Sequence, residues 1–483
     1  MTWRYRIASP QVLVAGIAVL LAVAVGVVSG VNPRLGILVA AGLAFVGLVF
    51  VNLLFGFAAM VLFAYLEVLT LAGGVSLAKI AGALIAVAWF AFVTTGGERV
   101  RNFFVERPGL TYLVLAFLGW NIISIAWSEN HSEALTSVMR YSLNALLLPI
   151  AFTAIRNRRD AVRILAAVVV GGGVAAVSAI VHPPAIESTS STRATGTVGD
   201  PNELAAALVV ALAIASAFAV NRHFAPRARV LAGFSATLCL GGILFSLSRG
   251  GLIGLGGALV VAVVAAGRWR ARVLAVCAAL AAAAVTYFAF FASLPAKERV
   301  LNISGGGGSG RLDLWTVGAR MVSAHPIRGI GTGQFAISSV HYLLQPGALQ
   351  RGDLILSTPK VAHNTYLNIV AEVGLVGGLL FASIVVVCLA CMIKAVKCLR
   401  DEGDERLEIL ARGLIVGLGG YLVTIVFISE NYAKLFWILL ALGPALLAVA
   451  RSPDEQAQEL GIIATRRRPV YEIAAAGRLG ASP

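Results

Sequence analysis

One histidine stands where its chemistry could be used. His363 opens the segment HNTYLNIVAEVGLVGG, at the start of a long apolar run. A helix N-terminus disfavours the imidazolium ion, so a neutral ring at the boundary between water and membrane could accept a proton as a general base. The same residue could equally cap the helix at that boundary. Its position alone does not choose between the two roles.

Two further charged residues lie in apolar surroundings. Arg249 lies in SLSRGG between two apolar runs, and Glu372 lies about two turns into the run that follows His363. Charged groups in a membrane protein face the interior of the helix bundle and have partners there. Asn364, Asn368 and Glu372 recur every four residues and therefore share one helix face. This stripe could form interhelical hydrogen bonds, or it could line a cavity beneath His363.

The segment from Ser293 to Ala362 is the one long polar stretch between apolar runs, and it is basic. Its charged residues are Lys297, Arg299, Arg311, Arg320, Arg328, Arg351 and Lys360 against Glu298, Asp313 and Asp353. The balance of 7 − 3 = +4 predicts an anionic ligand on this side of the membrane. Contact with lipid headgroups would explain one or two of these cations but explains several in one loop poorly.

Local patterns divide this segment. The glycines of ISGGGGSG predict a hinge, after which Ser309 could cap a helix that carries Arg311 and ends before Pro326. The sequence GIGTG that begins at Gly329 resembles a phosphate cradle. Because it follows no strand and lacks the Lys of a P-loop, we interpret it as a tight turn.

The sequence offers little for a metal or a redox centre. None of its six histidines occurs in an H-x-x-x-H pattern. Cys388 and Cys391 have redox spacing but lie inside an apolar run with no histidine nearby, so we expect them to pack or to face lipid. We therefore predict a site with no metal and no cofactor.

The elements that must position these residues follow from composition. Apolar residues make up 59% of the 483 residues and charged residues 13%, and the net charge is +15. A chain this apolar is unlike DNA-binding proteins, secreted disulfide scaffolds and soluble enzymes, so these classes are excluded. The composition instead predicts an all-α polytopic membrane protein. At about 20 residues a span, it holds about 12–14 transmembrane helices and one long external loop with short helices.

We place the spans by hydropathy. They cover residues 12–29, 35–51, 53–72, 77–95, 109–127, 136–155, 161–181, 202–220, 229–246, 250–266, 271–292, 366–393, 408–429 and 433–450. Seven basic clusters then fall on one face: Arg4/Arg6, Arg99/Arg101/Arg107, Arg156/Arg158/Arg159, Arg222/Arg227/Arg229, Arg268/Arg270/Arg272, Lys394/Lys397/Arg400 and Arg466/Arg467/Arg468. Positive charge marks the cytoplasmic side, so both termini are predicted to be cytoplasmic.

Four regions result. Residues 1–292 hold the N-terminal spans and the hairpin of Arg249, and residues 293–365 form the external loop. Residues 366–450 hold the C-terminal spans, and residues 451–483 form a polar cytoplasmic tail that we expect to be disordered.

Taken in order, these stretches resemble those of one enzyme family. SLSRGG, then SGRLDLWTVGARMVSAHPIRGIGTGQF, then AHNTYLNIVAEVGLVGGLLF look like signature stretches of the O-antigen ligase and polymerase family of bacterial envelope enzymes. GDPNELA at Gly199–Ala205 is similar to a fourth. As an ordered set the motifs are specific, although each alone is weak.

The resemblance implies a glycosyltransferase of the bacterial cytoplasmic membrane that acts on its outer face. It would transfer a glycan from an undecaprenyl-diphosphate carrier to a hydroxyl of a glycan, lipid or protein acceptor; membrane lipid, but no nucleic acid, is a partner. Carried over to this sequence, Arg249 and Arg311 would bind the diphosphate and His363 would be the catalytic base. Residues expected to support them are Asp200, Asn202, Asn364, Asn368 and Glu372.

The chemistry of the residues agrees with this assignment. No Asp-x-Asp that could hold a metal lies on the external side, but two guanidinium groups can supply the same charge to a leaving diphosphate. Attack opposite the diphosphate would invert the anomeric centre.

Two alternative functions stay open. One is a repeat-unit polymerase of the same family. The other is a lipid-linked glycan flippase or transporter, a class that favours internal symmetry and broken helices near the membrane midplane.

Overall fold

The computed structural model describes residues 22–23, 25–70, 76–95, 101–181, 193–294, 297, 310–343 and 360–451. Within these ranges the chain is helical, with one isolated β-bridge between Thr70 and Ser76 and no sheet, as predicted. The α-helices are α1 (Pro33–Val51), α2 (Leu53–Phe63), α3 (Leu77–Thr95), α4 (Phe103–Glu106), α5 (Pro108–Ser124), α6 (His131–Ala145), α7 (Leu147–Ala154), α8 (Arg158–Val181), α9 (Pro201–Val220), α10 (Pro226–Phe245), α11 (Arg249–Ala265), α12 (Arg270–Thr286), α13 (Arg311–Ala324), α14 (Phe335–Ser338), α15 (Thr365–Asp401), α16 (Glu405–Thr424) and α17 (Lys434–Ala450).

Nine helical segments in the described ranges are long and apolar enough to cross a membrane, so the protein is a multi-pass membrane protein. They are Leu77–Thr95, Pro108–Trp127, His131–Ala154, Arg158–Val181, Pro201–Val220, Pro226–Phe245, Gly267–Phe291, Thr365–Asp401 and Glu405–Thr424. Their mean hydropathy runs from 1.3 to 2.7. Four shorter apolar helices accompany them, including α11 and α17. Of the predicted spans, 12–29 lies mostly outside the described residues, as does the tail after Arg451.

The predicted span 53–72 is wrong at its C-terminal end. Its helix stops at Phe63, and the chain then turns. The reason is tertiary, because Thr197 takes over the hydrogen bonds that a longer helix would have made. Its hydroxyl donates to the carbonyl of Tyr65, and its own carbonyl accepts from Val68 N at 3.0 Å.

Small residues let α9, α11 and α16 approach one another closely. A Cβ added at Gly251 of α11 would overlap the Cβ of Ala205 in α9, and one at Gly254 would overlap the hydroxyl of Thr424 in α16. Small residues are the usual means of close helix packing in membranes. The SRGG motif is therefore also a packing motif, which seats the N-terminus of α11 against α9.

Several of the predicted basic clusters do meet at one end of the bundle, which we call the basic face. Arg158 pairs with Asp404 at 3.2 Å and with Glu402, and Arg268 pairs with Glu408 at 3.0 Å. These acids lie beyond or near the C-terminus of α15. Since α15 has 37 residues and runs from next to His363 to these acids, His363 lies at the opposite end of the bundle, which we call the site face.

The GIGTG sequence is a buried turn that locks onto a break in α15. Gly374 has φ 68° inside that helix, and the backbone of residues 326–331 fills the break. Ile330 N donates to Ala371 O at 3.0 Å, and Leu375 N donates to Pro326 O at 2.8 Å. Gly331 N donates to Glu372 O at 2.8 Å. Since these amides are already used, the segment is a turn and not a phosphate cradle, as predicted.

Candidate functional site

His363 lies directly before Asn364, the cap of α15, and is held in an uncommon backbone conformation. Its φ of 47° lies in the left-handed region, which costs a non-glycine residue of order 1–3 kcal/mol. The cap of α15 fixes it there: Asn364 Oδ1 accepts from Leu367 N at 3.0 Å, and Asn368 Oδ1 accepts from Ala362 N at 3.4 Å. Asn364, not His363, is therefore the helix cap, and Asn364 and Asn368 hold the turn that presents the imidazole.

Burial lowers the pKa of His363 below its usual value of 6.5, and Arg311 and Lys360 lower it further, whereas Asp200 raises it. The sequence predicted a neutral His363 because of the helix N-terminus alone. That explanation is incomplete, because burial has the largest effect on the pKa of His363. Arg311 and Asp200 lie in segments 52 and 163 residues away in the chain, yet both act on this ring. Arg311 and Asp200 therefore lie close enough to His363 to act on it electrostatically.

Arg249 is the first residue of α11, and its backbone is fixed by the turn before it. Leu247 has φ 48°, and Ser248 caps the helix by accepting from Gly251 N at 3.1 Å. The Ser248 hydroxyl donates to Asn202 Oδ1 at 2.9 Å, which ties this turn to the start of α9. Leu247 and His363 are the two non-glycine residues with positive φ in the described part of the chain, and both lie at the site.

Sequence reasoning missed Arg193. Its Nη2 donates to Asn202 Oδ1 at 2.8 Å and its Nε donates to Ser246 O at 3.0 Å. It therefore braces the start of α9 against the turn that carries Arg249. Arg193 lies in STRATGTVGDPNEL, six residues before the GDPNELA motif, and this proximity could have indicated its role.

The loop between α16 and α17 joins the remaining helix starts. Thr365 N donates to Ile425 O at 2.9 Å, which fixes the start of α15 to this loop. The ring of Phe427 lies 6.2 Å from that of Trp315, one turn after the start of α13. A Cβ at Gly250 would come within 3.0 Å of Phe427. One side chain thus touches both the Arg249 end of α11 and the Arg311 end of α13.

Four helix N-termini therefore converge on the site face. Asp200 caps α9, accepting from Asn202 N at 2.6 Å; Arg249 and Arg311 begin α11 and α13; and His363 precedes α15. The residue that caps α13 is Gly310, with φ 77°, and the predicted cap Ser309 lies outside the described residues. Helix N-termini carry partial positive charge, so the convergence of these four favours an anionic ligand such as a phosphate group.

Glu372 is buried and holds the loop after α13 in place. Its Oε1 accepts from Phe335 N at 3.2 Å, and its Oε2 accepts from Tyr432 OH at 3.5 Å. The sequence left two roles for the stripe of Asn364, Asn368 and Glu372: hydrogen bonding between segments, or lining a cavity. The contacts of Glu372 are hydrogen bonds to a loop and to another segment. Glu372 supports the site by fixing the loop on α15.

A polar cavity of about 200 Å³ lies on the α9 side and was not predicted. Glu67, Glu203, Glu430 and Lys434 line it, and Lys434 Nζ pairs with Glu67 at 2.7 Å. Burial and the neighbouring Glu203 raise the pKa of Glu430 above its usual value, and its Oε2 accepts from Tyr421 OH at 2.8 Å. Lys434 therefore pairs with one of these acids, whereas the like charges of Glu203 and Glu430 repel each other.

No metal centre is formed by the described residues, since no three or more of their His, Cys, Asp and Glu side chains come together as ligands would. Cys388 is buried against the backbone of Gly443 in α17, so it packs between helices.

Comparison with known proteins identifies the region that contains much of this site. Residues 234–382 match the family described as O-Antigen ligase. These residues include Arg249, Arg311 and His363. No curated protein matches the chain. A chain from a structure titled "Structural coordination of polymerization and crosslinking by a peptidoglycan synthase complex" aligns with a TM-score of 0.39 at 16% identity, over 72% of this chain and 98% of that one.

Proposed function

We propose that this protein transfers a glycan from an undecaprenyl-diphosphate carrier to an acceptor hydroxyl, because its residues 234–382 match the family described as O-Antigen ligase. The reaction would take place on the outer face of the bacterial cytoplasmic membrane. The observation that carries the proposal is the convergence of four helix N-termini around Arg249, Arg311 and a half-buried His363.

The positive end of the site suits the leaving group. Arg249 and Arg311 bind the diphosphate, and the N-termini of α11 and α13 add partial positive charge beside it. As the bond between the anomeric carbon and the phosphate oxygen breaks, its electron pair passes to undecaprenyl diphosphate. Charge therefore grows where the guanidinium groups stabilise it, which is the main source of catalysis.

His363 suits the other half of the reaction. The acceptor oxygen attacks the anomeric carbon and passes its proton to the imidazole, which becomes imidazolium. Its lowered pKa keeps the ring neutral before the transfer, and Asp200 stabilises the cation formed during it. Displacement of the diphosphate from the opposite side inverts the anomeric centre.

The direct test is turnover by purified protein in detergent with a lipid-diphosphate glycan and no ion gradient. Transfer under these conditions is expected of an enzyme and not of a flippase or transporter. His363→Ala should reduce transfer by about 10²–10⁴-fold while leaving donor binding largely intact. His223→Ala, at the basic face, is the matched control. Normal turnover by His363→Ala would remove this residue as the base.

Ligase and polymerase activities differ in their acceptor and are separated by the glycan that cells make. Deleting the gene and sizing the glycan distinguishes them. Shortened chains indicate a polymerase, whereas chains of normal length that stay on the lipid carrier indicate a ligase.

A further inference from the structure

A second cavity opens on the site face, away from His363. It has a volume of about 230 Å³ and lies where the C-terminus of α13 meets the end of α5. Trp127, Glu129, His325, Arg328 and His341 all contribute to its lining. None of these residues has a part in the proposed transfer chemistry.

The carboxylate in this cavity is held ready to accept hydrogen bonds. Ser338 Oγ donates to Glu129 Oε2 at 2.8 Å, and His341 Nε2 lies 3.1 Å from Glu129 Oε1. These two hydrogen bonds lower the pKa of Glu129, so the group is ionised at neutral pH. Glu129 still exposes about half of its side chain, so its oxygens remain accessible.

The aromatic group in this cavity has an unused donor. Arg328 lies over the ring of Trp127, with its guanidinium carbon 5.8 Å from the ring centroid. The indole Nε1 of Trp127 is buried and has no hydrogen-bond partner among the described residues. A buried donor without a partner is unfavourable, so a ligand hydroxyl that reached this N–H would be favoured.

These features together suit a sugar. The hydroxyl groups of a sugar can accept from Arg328 and donate to Glu129, and the indole N–H of Trp127 offers a further donor. Pockets for drug-sized ligands have volumes of about 300–1,000 Å³, and this cavity is smaller. Its volume therefore suits a single sugar ring rather than a chain of rings.

The position of the cavity tells which part of a glycan it would meet. Arg311 begins α13 and His325 caps its C-terminus, so the cavity lies about 20 Å from the diphosphate site along that helix. The sugar joined to the diphosphate cannot reach it. We propose that this cavity is a distal subsite for a sugar residue of a glycan chain whose reacting end lies at His363. The proposal rests on the proposed function.

The test compares glycans by length. Lipid-linked glycan from the native cells would be fractionated into short and long chains, and Arg328→Ala would be assayed with each. Because hydrogen bonds to charged groups contribute about 1.5–3 kcal/mol, KM for long chains should rise about tenfold or more, and KM for short chains should stay unchanged. Arg222→Ala, exposed on the basic face, is the matched control.

Two further measurements distinguish the possible outcomes. Changing donor length at constant acceptor, and then acceptor length at constant donor, shows which glycan occupies the cavity. Trp127→Phe keeps the ring but removes the N–H, and should weaken binding of the free long glycan, released by mild acid hydrolysis, in calorimetry.

Equal effects of Arg328→Ala on short and long chains, or no effect on either, would overturn the distal subsite while leaving the transferase intact. Unchanged binding by Trp127→Phe would make Trp127 an interfacial anchor only, and would also count against the subsite. Absence of turnover with every chain would instead contradict the proposed function, and free-glycan binding would then still report on the cavity.

Discussion

At the level of single residues, the site sets one anion against two cations around His363. Burial, Arg311 and Lys360 favour the neutral imidazole, and Asp200 favours the imidazolium. A lowered pKa means that the base stays neutral to a lower pH than a free histidine would. The acidic limb of the pH profile should therefore lie below the pH that an unperturbed histidine would give.

Replacing Asp200 should move that limb in a known direction. Because Asp200 raises the pKa of His363, Asp200→Asn should lower it and shift the acidic limb of kcat to lower pH. Asn is also a good N-cap, so α9 should stay formed. The measurement is the pH dependence of transfer in both proteins. An acidic limb that stays in place, with normal folding, would show that Asp200 does not act on the base.

Each arginine of the proposed diphosphate site should be essential. Arg249→Ala and Arg311→Ala should each reduce kcat by about 10²–10³-fold, because developing charge on the leaving group loses its partner. Arg249→Lys and Arg311→Lys should restore little of the lost activity, since an ammonium group cannot make the two parallel hydrogen bonds of a guanidinium group. Turnover assays on folded protein check this, with Arg222→Ala as control. Near-normal turnover by either Ala variant would make that arginine a headgroup contact.

At the level of elements, the helix starts are held together by a few buried polar contacts. Asn202 is the clearest, since its Oδ1 accepts from both Arg193 and Ser248. It thereby joins α9 to the turn that places Arg249 at the start of α11. Asn202 does not itself touch the proposed substrate positions, so we regard it as a positioning residue.

Substitutions at Asn202 should separate shape from hydrogen bonding. Asn202→Asp keeps the acceptor oxygen and should retain activity, whereas Asn202→Leu should lower kcat at least about tenfold and destabilise the protein by about 1–3 kcal/mol. Thermal unfolding and turnover measure the two effects. If Asn202→Asp is as inactive as Asn202→Leu, the acceptor oxygen is not what positions Arg249.

At the level of the whole molecule, charge is distributed between two ends of the bundle. Paired arginines and acids gather at the basic face, and the helix N-termini with Arg249 and Arg311 gather at the site face. The positive-inside rule predicts that the basic face is cytoplasmic. Glycan transfer on the outer face requires this orientation.

Thiol labelling in intact cells tests the orientation. In a variant without the five native cysteines, Cys at the exposed Ser323 should react with an impermeant reagent, and Cys at the exposed Ala225 should react only after the membrane is opened. Ser338, which follows on the same side of the protein, is a poor position for the labelled cysteine because its side chain is buried and hydrogen-bonded to Glu129. Labelling of Ala225→Cys alone in intact cells would reverse the topology and contradict an outward-facing site.

Much of the architecture could be predicted from the sequence because its causes are local. Apolar runs of membrane length specify helices, and Asn, Ser and Asp caps at Asn364, Ser248 and Asp200 mark where three of them begin. The all-helical class and most helix boundaries follow from these signals. The segments of Arg249, Arg311 and His363 could also be singled out, because polar residues are rare in so apolar a chain.

Other features depend on contacts between distant segments, which no local pattern reports. The early end of α2 at Phe63 depends on Thr197, and the bracing role of Arg193 depends on Ser246 and Asn202. The pKa of His363 is lowered mainly by burial, which depends on how the helices pack. Helical propensity acts over a few residues, whereas the convergence of four helix starts is decided by small-residue packing and buried hydrogen bonds across the whole chain.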